Sequence, residues 1–356
     1  MVIDVIKIFL PSTLAFLSGI AITPLIAGYL YRNHMWKKKA GKIGLGGVAT
    51  PVFDELHKDK EVGTPRMGGL VIGAGVFLTV LILFMADYLF GEPVFDKLNF
   101  LSRNQTWLPL MALFIGGFIG FLDDWMEVKG SGDYISGGLS LKKRLLLVSL
   151  LGLLAGFWFY YKLDVLGATL PLLGYIHFGI LFPVLFALVA LAVYSGGVID
   201  GIDGLSGGVF AAIFSAYGVI AFYQEQIDLA AFCFTIVGGT LAFLWFNVPP
   251  ARFYLSETGS MALTLALTVV AFMTDELGGG RGLSVLPVVA LPLAATTGSV
   301  LIQLFYRKVF GRKFFRVAPL HHHFEALGWP GYKVAMRYWI VSGVSAIFGI
   351  VLALMR

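Results

Sequence analysis

Residues 68–89 read GGLVIGAGVFLTVLILFMADYL, a run whose only charge is Asp87, near its end. As a helix rising 1.5 Å per residue, such a run is long enough to cross the ~30 Å hydrocarbon core of a bilayer. Runs of the same character recur at 6–30, 107–122, 145–161, 178–199, 207–222, 229–246, 261–273, 285–305 and 338–354. Together they predict about ten spans, and the class is all-α, a polytopic membrane protein. Composition agrees: 58% of residues are hydrophobic and 13% charged, with mean hydropathy +0.84, whereas soluble domains carry about 25% charged residues. A soluble globule is excluded. No fixed-period repeat or low-complexity linker divides the chain, so 1–356 is read as one membrane domain. Within the first run, Ile8 to Tyr29 is too long for a signal-peptide core and lacks an A-x-A cleavage site, so it is read as a retained first helix. The single cysteine, Cys233, lies inside an apolar run, which excludes a disulfide framework or a thiolate metal site.

Ten spans place both termini on one side, and the basic residues then sort strongly between the two faces. The loops 31–67 and 306–337 hold Arg32, Lys37, Lys38, Lys39, Lys42, Lys58, Lys60, Arg66, Arg307, Lys308, Arg312, Lys313, Arg316, Lys333 and Arg337, while the opposite loops are short and plain. By the positive-inside rule the rich side is cytoplasmic. The net charge of +5 therefore reports loop topology and contact with anionic lipid, not nucleic-acid binding.

Five polar clusters fall on that same side: His57 and Lys60 with Gly63-Thr64-Pro65-Arg66-Met67-Gly68-Gly69; Gly120 to Asp123-Asp124; Asp200-Gly201-Ile202-Asp203-Gly204; Asn247 with Tyr254 and Glu257-Thr258-Gly259-Ser260; and Pro319-Leu320-His321-His322-His323-Phe324-Glu325. Asp123 and Asp124 close an apolar run, where carboxylates oppose the helix dipole and are costly to desolvate without a nearby cation. A metal fits that position; a solvated helix end is the plain alternative. Asp200 and Asp203 share a face if their helix continues, whereas the glycines around them argue for a break that brings backbone close to a ligand. Glu257 stands just before a new apolar run, either as a helix cap or as a metal ligand. The three histidines lack partners at zinc spacing and point in different directions, so one or two of them contact phosphate or sugar. Lys60, Arg66 and the basic run 306–316 attract an anionic substrate or lipid headgroups. Carboxylates suited to a divalent ion, a polyanionic soluble substrate and a membrane-borne second substrate together describe phosphoryl transfer to a lipid.

At these residues the chain resembles the polyprenyl-phosphate N-acetylhexosamine-1-phosphate transferase superfamily. Asp123-Asp124 and Asp200-Gly201-x-Asp203-Gly204 match its general pattern; Gly63-Thr64-Pro65-x-Met67-Gly68-Gly69 and Pro319 to Glu325 are similar to its muramoyl-transferring branch. The resemblance covers nearly the whole chain. It implies ten transmembrane helices, a homodimer in a bacterial inner membrane with its active site at the cytoplasmic face, and Mg²⁺-dependent transfer from UDP-MurNAc-pentapeptide to undecaprenyl phosphate. Lipid I and UMP are the implied products. It assigns catalysis to Asp123, Asp124, Asp200 and His321, and substrate binding to Lys60, Thr64, Gly201, Asp203, Asn247, Tyr254, His322 and His323. Glu257 and Asp124 are the implied Mg²⁺ ligands, and Tyr254 aligns with an aromatic residue that stacks on uracil.

Four departures accompany the match. Glu257, preceded by Ser256, replaces an Asp preceded by Gly; Glu127 replaces a lysine, with Lys129 as a candidate substitute; Gly197 replaces an Asn; and Lys60 is one residue further from Gly63 than usual. A sibling enzyme that loads GlcNAc-1-phosphate from UDP-GlcNAc onto a polyprenyl phosphate would share the fold and the acidic motifs. An ion-coupled transporter also suits intramembrane acids and glycines, but its ionisable groups belong near mid-membrane rather than at one face.

Overall fold

The structure, a computed structural model, describes residues 2–37, 43–44, 48–49, 62–99, 104–131 and 138–355. His57 and Lys60 lie outside the described residues. The helices are α1 (Val2–Arg32), α2 (Gly69–Phe90), α3 (Pro93–Leu98), α4 (Asn104–Lys129), α5 (Leu141–Lys162), α6 (Phe182–Ser195), α7 (Leu205–Tyr223), α8 (Ile227–Asn247), α9 (Ser256–Met273), α10 (Gly282–Val289), α11 (Leu291–Phe310), α12 (Leu320–Ala326) and α13 (Gly331–Leu354). Among the described residues, nine helices are long and apolar enough to cross a membrane, and ten if the bent pair α10 and α11 is one span. The all-α polytopic class is what the apolar runs required.

Three boundaries differ from the sequence reading. The run 285–305 is not one straight span, because α10 and α11 meet at a 70° bend. Pro287 lies inside α10 and Pro292 in the first turn of α11, and a proline has no N–H to continue the ladder across Ala290. The third run does not stop at 122; α4 continues to Lys129, so Asp123 and Asp124 lie inside a helix rather than at its end. The loop between α5 and α6 is not plain either, since Gly167–Leu170 and Gly174–His177 pair as an antiparallel hairpin with Gly167 opposite His177.

Helix α9 is the centre of the molecule. Nearly all of it is buried, whereas α1 and α5 turn much of their surface outward. Between membrane helices, small residues set how closely backbones approach, and the glycines of α4 do this against α9. A Cβ on Gly116 would lie 2.8 Å from the Met261 carbonyl oxygen, and one on Gly120 would collide with the Glu257 carbonyl. Gly69 of α2 crosses Gly259 in the same way. Two hydroxyls buried along the middle of α9 are satisfied within the helix: Thr264 and Thr268 donate to the carbonyls of Ser260 and Thr264, at 2.6 and 2.9 Å, as an apolar surrounding demands. These close crossings bring the last turns of α4 against the first turn of α9, where the acidic residues meet.

At the opposite end of α9, Asp275 caps the turn into α10. It accepts from Thr169 N–H in the hairpin and Leu283 N–H, at 2.7 and 3.2 Å. Burial pushes its carboxyl up to about 6 against those hydrogen bonds. Asp275 thus has a structural role well removed from the polar loops at the other face.

Candidate active site

Neighbouring residues on a helix point about 100° apart, so the Asp123-Asp124 pair is divided between two partners. Asp124 faces the start of α9. Its Oδ2 accepts from Thr258 N–H at 2.9 Å and Thr258 Oγ1 at 2.6 Å, while Oδ1 accepts from Glu257 N–H at 3.3 Å and Arg66 Nε at 3.4 Å. It is fully buried and supplies the negative charge that a helix N-terminus favours. Asp123, also fully buried, faces α5. Its Oδ1 accepts from Leu139 N–H at 2.6 Å, and its Oδ2 lies 2.9 Å from Arg144 Nη2, an ion pair at an angle too poor to be a hydrogen bond.

Arg144 also donates from Nη1 to Glu257 Oε1 at 2.5 Å, and Glu257 Oε2 accepts from Tyr194 Oη at 3.2 Å. One guanidinium therefore joins carboxylates from α4 and α9. Glu257 does not cap its own helix: Ser256 N–H donates to Asp200 Oδ2 at 2.8 Å, and the next two N–H groups go to Asp124. Capping falls to Asp200 and Asp124, leaving the Glu257 carboxylate turned toward α5 and α6.

Arg66, read from the sequence as a substrate-attracting cation, is turned inward. Its Nη2 lies 3.1 Å from Glu127 Oε2, and Lys37 Nζ lies 3.4 Å from Glu127 Oε1. Burial opposes its charge, but Glu127 and Asp124 outweigh burial and hold the guanidinium protonated beyond its ordinary range. Lys129 does not occupy this place; its Nζ sits 4.6 Å above the Trp125 ring.

The segment 196–204 breaks from the helix, as its glycines suggested, through a single 3₁₀ turn over Gly196–Ile199. Asp200 accepts from Ser206 Oγ at 2.8 Å in addition to Ser256 N–H, and Asp203 accepts from Ala251 N–H at 3.2 Å. Asn247 accepts from Gly204 N–H at 2.9 Å and donates to the Phe253 carbonyl at 2.8 Å. Thr64 and Tyr254 are half-buried. Tyr254 N–H donates to the Pro65 carbonyl at 2.9 Å and its own carbonyl accepts from Gly68 N–H at 2.7 Å, which ties the Thr64 segment to the entry of α9.

The histidines follow in α12. His321 and His322 are buried, and a Cβ on Gly201 would lie 2.5 and 2.7 Å from their Nε2 atoms, so the Asp200 loop and the histidine motif are in direct contact. His322 Nδ1 pairs with Glu325 Oε2 at 2.7 Å. His323 is half-buried and its Nδ1 accepts from Arg316 N–H at 3.3 Å; burial together with Arg316 lowers its pKa below the ordinary imidazole value. All the sequence-chosen residues within the described part thus gather at one end of the bundle.

Arg144 and Tyr194 were missed. A signal for Arg144 was present: it follows Lys142 and Lys143 in the first turn of α5, where cations oppose the helix dipole. The donor set suits a hard divalent cation. Among the described residues no three His, Cys, Asp or Glu side chains form a closed metal cage. Mg²⁺ needs none, since one or two carboxylates plus substrate phosphates complete its shell. Asp123 and Glu257 already share one cationic group, and Asp124 adds a carboxylate whose oxygens serve Thr258, Glu257 N–H and Arg66.

Beside this site, an apolar cavity of about 550 Å³ runs between α1, α2, α4 and α9 from Phe77 and Leu113 to Thr258.

Comparison with known proteins is consistent with this geometry. Residues 106–275 match the family described as Glycosyl transferase family 4. A phospho-N-acetylmuramoyl-pentapeptide-transferase of Listeria monocytogenes serotype 4b (strain CLIP80459) is 34% identical over 307 residues, covering 83% of this chain and 86% of the relative. One from Chloroflexus aurantiacus (strain ATCC 29366 / DSM 635 / J-10-fl) is 32% identical over 351 residues, covering 95% and 88%. One from Chloroflexus aggregans is 32% identical over 334 residues, covering 90% and 84%.

Proposed function

The chain belongs to the phospho-N-acetylmuramoyl-pentapeptide-transferase family, and from that membership and the site we propose that it transfers phospho-MurNAc-pentapeptide from UDP-MurNAc-pentapeptide to undecaprenyl phosphate, giving lipid I and UMP. The observation that carries the reading is the sharing of one cation by Asp123 and Glu257, carboxylates from two spans, where five polar segments meet at one end of the bundle. A site for a polyanionic nucleotide at a membrane boundary needs this combination of shielded charge and access from both phases.

An oxygen of the lipid phosphate attacks the sugar-linked phosphorus; the new P–O bond forms as the bond from that phosphorus to the bridging oxygen breaks, and UMP leaves with the electron pair. A phosphate monoester with a second pKa of about 6 is largely dianionic near neutral pH, so no strong enzyme base is needed. Catalysis then rests on positioning and electrostatics. Asp123 and Asp124 orient the acceptor phosphate, Arg144 draws phosphate oxygens toward them, and the Asp200 loop with His321 and His322 holds the donor from the other side. Lys60, Thr64, Gly201, Asp203, Asn247, Tyr254 and His323 complete donor binding. Glu257 with Asp123 or Asp124 would hold Mg²⁺, which would neutralise charge on the diphosphate. The enzyme works as a homodimer in the bacterial inner membrane with this end of the bundle cytoplasmic, in keeping with the basic loops beside it.

The test is purified protein in detergent with Mg²⁺ and undecaprenyl phosphate, offered UDP-MurNAc-pentapeptide or UDP-GlcNAc, with UMP release followed. UMP from the muramoyl donor alone is the expected result; release from UDP-GlcNAc alone would move the chain to the sibling activity.

A further inference from the structure

Arg66 comes from a connecting segment, yet its guanidinium is directed into the bundle. It reaches two carboxylates of α4, Asp124 at 3.4 Å and Glu127 at 3.1 Å, that lie one helical turn apart on the same face. Glu127 is itself buried and paired on its other oxygen with buried Lys37, in the segment that follows α1. The backbone around Arg66 is fixed at both sides: Arg66 N–H donates to the Met35 carbonyl at 2.8 Å, and Pro65 accepts from Tyr254 N–H at 2.9 Å. A buried ion-pair chain therefore runs from Lys37 through Glu127 and Arg66 to Asp124, and ends on the first N–H groups of α9 beside Glu257.

We propose that Arg66 is a positioning residue for the transferase, clamped by Glu127 so that its guanidinium fixes the Asp124 carboxylate, and that Glu127 serves catalysis only through this clamp. The inference rests on the proposed reaction. It explains an otherwise costly arrangement: two carboxylates one turn apart inside a span are tolerable only with a cation between them. It also separates the two arginines by task. Arg144 touches Asp123 and Glu257, whereas Arg66 touches Asp124 and Glu127.

The role has a kinetic signature. A residue that captures donor changes KM, whereas one that aligns a reacting carboxylate changes kcat. Arg66→Met keeps most of the side-chain volume and removes the charge; kcat per folded molecule should fall by about 10²-fold, the scale for loss of one aligned electrostatic group, with KM for UDP-MurNAc-pentapeptide within about twofold. The exchange Arg66→Glu with Glu127→Arg supplies a second arm that keeps the buried carboxylates beside a cation. It keeps the net charge and returns a guanidinium one turn from Asp124, so its kcat should exceed that of Arg66→Glu by at least about tenfold, a gain of ~1.4 kcal/mol. An Arg66→Met protein with wild-type kcat, or an exchange variant no faster than Arg66→Glu, would overturn the assignment. Wild-type protein that released no UMP in the same assay would overturn the reaction and this role with it; normal wild-type turnover beside an unaffected Arg66→Met variant would overturn this role alone.

Discussion

Replacing Arg144 with Met leaves the stem of the side chain and removes the one charge that joins Asp123 to Glu257. In the wild type the guanidinium contacts them at 2.9 and 2.5 Å, with Asp123 fully buried and Arg144 and Glu257 each about one-fifth exposed. Breaking a buried ion pair by deleting one partner costs about 3–5 kcal/mol, and the partial exposure of Arg144 and Glu257 argues for the lower end, ~3 kcal/mol. In a helical bundle of this size that loss should lower the thermal midpoint in detergent by several degrees. The second expectation concerns Mg²⁺. If the ion occupies the space between the same two carboxylates, it competes with Arg144 in the wild type and meets no competitor in Arg144→Met. Saturating Mg²⁺ at about 100 times Kd contributes ~2.7 kcal/mol to the folded state, so it should recover most of the lost midpoint in the variant and raise the wild-type midpoint less. Activity should nonetheless stay at least about 10²-fold down, because Arg144 no longer faces the reacting phosphates. Differential scanning fluorimetry with Mg²⁺ titration, paired with UMP release, reads both. A variant that melts like the wild type and shows no added response to Mg²⁺ would refute the reasoning.

Asp123→Asn and Asp124→Asn should each lower turnover by about 10²-fold or more, with folding checked by size-exclusion profile; near wild-type turnover in either would remove it from the reaction. Glu257→Gln should raise the Mg²⁺ concentration needed for half-maximal rate, while Glu257→Asp, which keeps the charge, should retain more activity than Gln; equal Mg²⁺ requirements in the wild type and Gln variant would end its role as ligand. Ser256→Gly should stabilise the protein by up to ~1 kcal/mol, read as a higher thermal midpoint, because Ser256 sits at φ 57° with a buried hydroxyl that has no hydrogen-bond partner among the described residues.

Much of the fold was legible because a membrane span needs a long apolar run and little else. The bend at Ala290 was not, since the run 285–305 is apolar throughout and its two prolines are compatible with either a kink or a full break. The convergence of the polar clusters at one end followed from counting spans. Their pairings did not follow: Arg144 meets Glu257 across 113 positions and Arg66 meets Asp124 across 58, and such partners have no local pattern. Asp123 and Asp124 read as one acidic pair in sequence, yet helical geometry sends them to different helices. Glu257 stood between cap and ligand because the residues that cap α9, Asp200 and Asp124, come from elsewhere in the chain. The departure at Glu127 was visible, but the cation that answers it, Arg66, had the sequence character of a surface charge.

The most direct measurement is mass spectrometry of the lipid product. Purified protein is incubated with Mg²⁺, undecaprenyl phosphate and UDP-MurNAc-pentapeptide labelled in the sugar, with a parallel reaction lacking the lipid. The account requires undecaprenyl-diphospho-MurNAc-pentapeptide and UMP in equal amounts when lipid is present, and neither UMP nor labelled protein when it is absent. Unmodified undecaprenyl phosphate after prolonged incubation, or label carried on a carboxylate of the protein that passes to lipid added later, would contradict it.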